Sequence, residues 1–476
     1  MSGDEIVVVP FPHPGHLFPA IELCLRLAER NCRITLIQPT SSASSTSSLH
    51  PLINTVHLPI PDSIRIDPSF VDTTFPKFLT DLLEERRRSS SLPICAIIDE
   101  MVGSVITPFV DFGVPAVSFF TSSAISSALE HALSQIEPPD LTGVGSTAVF
   151  DVPGLPKEVA LSASDFAHFQ NGGPPSLGPH RSRDGRPRRR RDVASTDGAV
   201  GLIMNTCVDL ESPFLKYVAR VAAKPVWAVG PLLPDLFWSA LSGPVRDAAG
   251  ARRGGEYGGG GVSEAAVLDW LDSKPQGSVI YVSFGSLVGP NDAELEELAA
   301  GLEESGRSFI WVIKPGARQH EPDGRPIVTN GSGYSPDGLE KSVQGRGMVI
   351  RGWAPQLAIL SHSSTGGYVC HCGWNSTLEA IGSGVPVLAW PIRGDQTYNA
   401  KLLVSQLRVG VLVRSEPGKA VSKAEVVQGI EKLVTDEEMR KRAASMRSIF
   451  ARELPLSSAA ALNDFLEFLS SERRKQ

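Results

Sequence analysis

Residues 353–396 read WAPQLAILSHSSTGGYVCHCGWNSTLEAIGSGVPVLAWPIRGDQ, from Trp353 to Gln396. Gly367–Cys370 and Val387–Trp390 are short apolar runs suited to buried strands. Between them a Gly373-Trp374-Asn375-Ser376 turn leads into a helix that carries Leu378 and Glu379. Strand, turn, helix and strand in so short a span argue for a parallel sheet, with polar residues gathered where strands end.

The same grammar extends outward on both sides. Upstream, Val279–Phe284, Phe309–Ile313 and Met348–Ile350 read as strands, and Leu295, Leu298, Ala299 and Leu302 trace one helix face. Downstream, Ser422 with Glu425 offers a capping box for a late helix. The first half opens with a strand at Ile6–Val9, a helix from about Pro19 to Glu29 and a strand at Arg33–Ile37. Phe75, Phe78, Leu79, Leu82 and Leu83 mark an amphipathic helix, and strands follow at Ile94–Ile98 and Ala116–Phe120. Between the halves, residues 232–262 carry proline, basic residues and a glycine cluster, and read as a linker.

With 476 residues the chain is long enough for two full cores. Its net charge of −7 gives no general attraction to nucleic acid or to anionic membranes. The acidic start MSGDEIVVV lacks the basic region of a signal peptide, and no run of about 18 apolar residues suggests a spanning helix. Six cysteines without CxxC spacing read as reduced thiols of a cytoplasmic protein. Cys370-His371-Cys372 has the look of a metal site, but strand alternation sends neighbouring side chains to opposite faces, so no metal is expected. Nothing demands more than a monomer.

The segment 353–396 resembles the signature box of plant secondary-metabolism UDP-glycosyltransferases at nearly every diagnostic position. The resemblance implies a GT-B fold, two Rossmann-like domains facing across a cleft. Residues 1–231 would form the acceptor-binding domain and 263–450 the UDP-sugar-binding domain, with 451–476 returning to the first as a helix. It also implies roles. Trp353 would stack on uracil, with Ala354 and Gln356 beside it, and Glu379 would take the ribose hydroxyls. His371, Asn375, Ser376 and, in the SFGS turn, Ser286 would surround the diphosphate, a task to which a helix N-terminus is suited. Trp374, Asp395 and Gln396 would hold the sugar, with glutamine in the last place pointing to glucose. Each residue alone reads as an ordinary core or surface side chain; the ordered set carries the inference.

Transfer to a hydroxyl needs a base titrating near neutrality, which favours histidine. His16, in the loop after the first strand, matches the family's base, and His13 is its neighbour and rival. Asp99, at a strand end, matches the carboxylate that orients the base, although it could simply cap the next helix. Ser122 resembles a sugar contact, with Thr121 and Ser123 as alternatives. The expected reaction is inverting glucosylation of a plant phenolic or flavonoid, with UDP-glucose as co-substrate and no other cofactor. Transfer to an aromatic carbon and a non-catalytic nucleotide-sugar-binding role are the alternatives. One segment departs from the resemblance: between Gln170 and Asp197 the chain holds seven arginines from Arg181 to Arg191. It reads as a disordered loop, with a nucleic-acid contact as the alternative.

Overall fold

The computed structural model describes residues 5–40, 49–59, 74–136, 149–162, 165, 193, 196–235, 237–238, 262–285, 288–314, 318–320, 334–336, 338–413, 419–450 and 454–474. The chain divides into two compact units. One comprises Met1–His131, Arg191–Pro234 and Leu454–Gln476; the other comprises Ala132–Arg190 and Asp235–Glu453. Nearly all of the arginine-rich segment and most of the expected linker lie outside the described residues. At the linker's start, Phe237 and Trp238 are buried and stack edge to face.

The first unit is built on β1 (Glu5–Val9), β2 (Arg33–Thr40), β3 (Ile53–Pro59), β4 (Cys95–Asp99) and β5 (Ala116–Phe120). A short antiparallel hairpin, β6 (Val149–Phe150) with β7 (Leu161–Ser162), belongs to the second unit. The first sheet is completed by β8 (Ala199–Met204) and β9 (Val226–Ala228). Its order is β3-β2-β1-β4-β5-β8-β9, every pair parallel. After Glu5 the sequence of β1 is apolar at every position, because both faces of the strand are covered. Ile6 and Val8 join a core that includes Leu23, Leu27 and Trp227, whereas Val7 and Val9 join another with Leu79, Leu83 and Phe109.

The final helix, Leu456–Arg473, closes the first of those cores with Leu462, Phe465 and Leu469, spaced three and four apart. Phe465 and Phe468 each lie 5.1 Å, ring to ring, from Trp227.

The second unit repeats the plan. Its strands are β10 (Val279–Ser283), β11 (Val288–Pro290), β12 (Ser308–Ile313), β13 (Arg318–His320), β14 (Gly347–Arg351), β15 (Thr365–Cys370), β16 (Val387–Ala389) and β17 (Gly410–Leu412). Six form a parallel sheet in the order β14-β12-β10-β15-β16-β17, and β11 pairs with β13. The capping box at Ser422 and Glu425 is present, with both reciprocal bonds made.

One boundary differs in a way that matters. The first helix runs Pro14–Ala28, not from Pro19, so His16 lies in its first turn rather than in a loop. Pro14 occupies the position where a missing N–H costs nothing, and the His13 ring accepts the Gly15 N–H at 3.2 Å as the cap. Pro19 is tolerated within the helix, and reading it as the start placed the boundary too late.

Candidate active site

In each sheet the order reverses once, between β1 and β4 and between β10 and β15, and open α/β sheets bind ligands beyond strand ends at such points. In the first unit three neighbouring strands deliver one residue each to this edge. After β1 comes the helix turn with His16; β4 ends at Asp99; Thr121 follows β5. Nδ1 of His16 lies 2.9 Å from Asp99 Oδ2 and 2.8 Å from Thr121 Oγ1. Asp99 is completely buried and the His16 side chain keeps 20% of its exposure.

An ionised carboxylate only accepts, so the proton sits on Nδ1 and is shared between Asp99 and the threonine oxygen. The two readings of Asp99 are both realised. Oδ1 accepts the Met101 N–H at 2.8 Å and caps the following 3-10 helix, while Oδ2 holds the histidine. His13 is committed to its capping bond, and burial, followed by the nearby His16, lowers its pKa to about 4. A ring so reluctant to take a proton is a poor base at neutral pH.

Of the three polar residues after β5, Thr121 turns to the histidine and Ser123 caps the next helix through the Ser126 N–H at 3.2 Å. Ser122 is the one that is partly exposed. Thr121 was legible only as an alternative to Ser122, and its bond to the base was not.

In the second unit the strand β15 ends at Cys370, and the helix Trp374–Ser383 begins four residues later. Its cap is Gly373, which supplies no side-chain hydrogen bond, so the positive pole of the helix is left to other partners. His371 is buried beside it, and its Nδ1 has no hydrogen-bond partner among the described residues. A Cβ on Gly373 would come within 2.5 Å of His371 Nε2, and one on Gly285, where φ is +77°, within 2.7 Å. Two glycines therefore form the slot that holds the ring. Cys372 takes a left-handed φ of 64°, and its carbonyl accepts Asn399 Nδ2 at 2.9 Å. Asn399 also donates to Asp395 Oδ2 at 3.0 Å, so this buried amide ties the histidine loop to the acid. The spacing of Asp395 and Asn399, one helical turn apart, was the available signal for that brace.

Trp353 is half-buried, Ala354 is buried, and Trp374 and Glu379 are both buried on or beside the same helix. Asn375 is partly exposed and Ser376 is buried. Gln356 points inward. Its Nε2 donates to Glu379 Oε2 at 2.6 Å and to Ser376 Oγ at 3.0 Å, and its Oε1 accepts from Tyr281 and Tyr368. All four hydrogen-bonding positions of that amide are thus taken inside the protein. Gln396 is also partly committed, since its Oε1 accepts the Ile392 and Arg393 N–H groups at 2.9 Å each. Ser286 lies outside the described residues. Cys370 Sγ accepts the Cys372 N–H at 3.2 Å, and no cluster able to hold a metal occurs among the described residues.

Both units are Rossmann-like; the first carries a histidine–carboxylate pair beyond its strand ends, and the second a helix without a side-chain cap, with acidic and amide groups near it. The family model described as UDP-glucoronosyl and UDP-glucosyl transferase matches residues 265–459. The chain is 31% identical to UDP-glycosyltransferase 73D1 of Arabidopsis thaliana, over 92% of this chain and 87% of that one. It is 28% identical to scopoletin glucosyltransferase of Nicotiana tabacum, over 96% of each. The structure of Phytolacca americana UGT2 complexed with UDP-2fluoro-glucose and pterostilbene superposes with a TM-score of 0.73, at 26% identity, covering 98% of this chain and 100% of that one. The chain belongs to the plant UDP-glycosyltransferase family, and it is a glycosyltransferase acting from a UDP-sugar on small molecules. Among the described residues no helix is long and apolar enough to cross a membrane.

Proposed function

We propose that this enzyme transfers glucose from UDP-glucose to a hydroxyl group of a plant phenolic, with inversion at the anomeric carbon. The observation that carries the reading is the His16 ring, held through Nδ1 by buried Asp99 and by Thr121. With the proton fixed on Nδ1, proton acceptance falls to Nε2. The acceptor O–H gives its proton to Nε2 as its oxygen forms a bond to the anomeric carbon, and the bond from that carbon to UDP breaks. UDP leaves with the electron pair. Asp99 stabilises the imidazolium so formed.

The second unit supplies the donor's partners. The N-terminus of helix Trp374–Ser383 and His371 match the needs of a departing diphosphate, and the orphaned His371 Nδ1 supports that assignment. Glu379 takes the ribose hydroxyls, Trp353 stacks on the base, and Asp395 with the Gln396 amide nitrogen meets the sugar hydroxyls. The positive pole of a helix and protein donors supply the stabilisation, so the reaction as written calls on no metal and no separate cofactor. A phenolic acceptor is supported by the scopoletin-glucosylating relative and by the pterostilbene in the Phytolacca complex.

The test is mass spectrometry of purified enzyme incubated with UDP-glucose and a panel of phenols, flavonoids and terpenoid alcohols. A product heavier by one hexose and cleaved by acid, absent with His16→Ala while UDP still binds, is the expected result. Retained turnover by His16→Ala would remove it as the base, and an acid-resistant product would move the new bond to carbon.

A further inference from the structure

Beneath the donor helix, β10 and β15 are neighbours, and Tyr281 stands opposite Tyr368 in their register. The rings stack at 4.9 Å with 25° between their planes, and both are buried. The Tyr281 hydroxyl donates to Gln356 Oε1 at 3.0 Å and the Tyr368 hydroxyl to the same oxygen at 3.3 Å. On its other side Gln356 donates to Ser376 and Glu379. The partners themselves set the orientation of the amide. A carboxylate cannot donate, so nitrogen must face Glu379, and the oxygen must face the two phenols. Burial raises the ionisation of both phenols well above the ordinary range, so each remains an O–H donor. A glutamate on a helix would otherwise sample several rotamers, and fixing one in advance removes an entropic cost from binding.

We propose that Tyr281 and Tyr368 are positioning residues for the donor, which through Gln356 fix the Glu379 carboxylate for the vicinal hydroxyls of the ribose. The inference rests on the ribose role proposed above for Glu379. Gln356 then serves the nucleoside by aiming its neighbour, not by reading the base.

Calorimetric titration with UDP and with 2′,3′-dideoxy-UDP separates these ideas. For wild type, UDP binds more tightly than the dideoxy analogue. Tyr281→Phe and Tyr368→Phe should each weaken UDP about fivefold, and the double variant about twentyfold, with the analogue changed by less than about twofold. Equal losses for both ligands would mean a merely structural effect, and no loss would mean no effect; either overturns the proposal. A wild type that does not distinguish the two ligands would bring down the ribose role itself, and the proposal with it. Melting curves accompany each variant. If a phenylalanine variant fails to fold, Gln356→Glu gives a second route. It keeps the shape but sets oxygen against Glu379, and should weaken UDP more than about tenfold above pH 7, with recovery in mild acid as the pair shares a proton. An unchanged affinity would again overturn the assignment.

Discussion

A single nitrogen, Nδ1 of His16, has two oxygen neighbours, and they do different things. Asp99 brings charge, so Asp99→Asn should keep the Met101 cap through its amide oxygen yet present an NH2 group to the ring. The imidazole would then turn to its other tautomer, and kcat should fall by a factor on the order of 10² to 10⁴, with the melting temperature little moved. Thr121 brings only a dipole; Thr121→Val should lower kcat about tenfold and leave the UDP dissociation constant near wild type. Steady-state kinetics beside UDP titration checks both. His13 yields a pH effect on stability. Its folded pKa, about 4, lies below the ordinary value near 6.5, so between those values the unfolded chain binds more protons. Stability therefore rises with pH across that window and is lost on acidification. His13→Asn keeps a capping side chain without the titration, and urea melts at pH 7 and pH 4 should show the wild type losing up to about 3 kcal/mol more than the variant.

At the level of elements, the helix Ala124–Gln135 begins against a buried carboxylate from another helix. Glu211 Oε2 accepts the Ala124 N–H at 2.9 Å and Oε1 the Ile125 N–H at 2.8 Å. Burial raises the pKa of Glu211, and the Thr206 hydroxyl, followed by the two N–H bonds, opposes that rise. Glu211→Gln keeps the volume but can accept with one atom only, and should cost about 2 kcal/mol in urea unfolding while lowering kcat, because Thr121 lies in the short connection between β5 and this helix. Such long-range clamps leave no local trace in a sequence. What was legible followed from periodicity: β1, β4, β5, β10 and β15 were found to within a residue or two, because strands covered on both faces read as unbroken apolar runs. The strands β3, β8 and β9 were passed over: INTVHLP is neither an unbroken apolar run nor a strict alternation, AVGLIM is interrupted by a glycine, and VWA is too short to show a period. In the site, His16, Asp99 and the residues of the Trp353–Gln396 segment stood out by resemblance to the family's motifs. Thr121 as a partner of the base and the tyrosine pair did not, because they depend on which strands lie side by side.

For the molecule as a whole, the C-terminal helix Leu456–Arg473 completes a core whose other members lie hundreds of positions earlier. Phe465→Ala would open a cavity beside Trp227 and should destabilise the first unit by about 3–5 kcal/mol, read by calorimetry, with the second unit's transition unmoved. The second unit has its own long-distance tie. Lys401 pairs with buried Asp165 at 2.8 Å and donates to the Ala160 carbonyl at 2.9 Å, tying residues on either side of β7 to the helix that starts at Gln396. Lys401→Met would leave the Asp165 carboxylate buried and unpaired and should destabilise the second unit by about 3 kcal/mol, read by urea unfolding. The discontinuity of the first unit also bears on how the chain is made. Its pieces are Met1–His131, Arg191–Pro234 and Leu454–Gln476, whereas the second unit has been synthesised in full by Glu453. On the ribosome, then, the part of the enzyme begun first is finished last. The nascent sheet of β1–β5, β8 and β9 must wait, with Trp227 and its neighbours lacking their cover, until the helix Leu456–Arg473 emerges, and it is this half that a chaperone would meet.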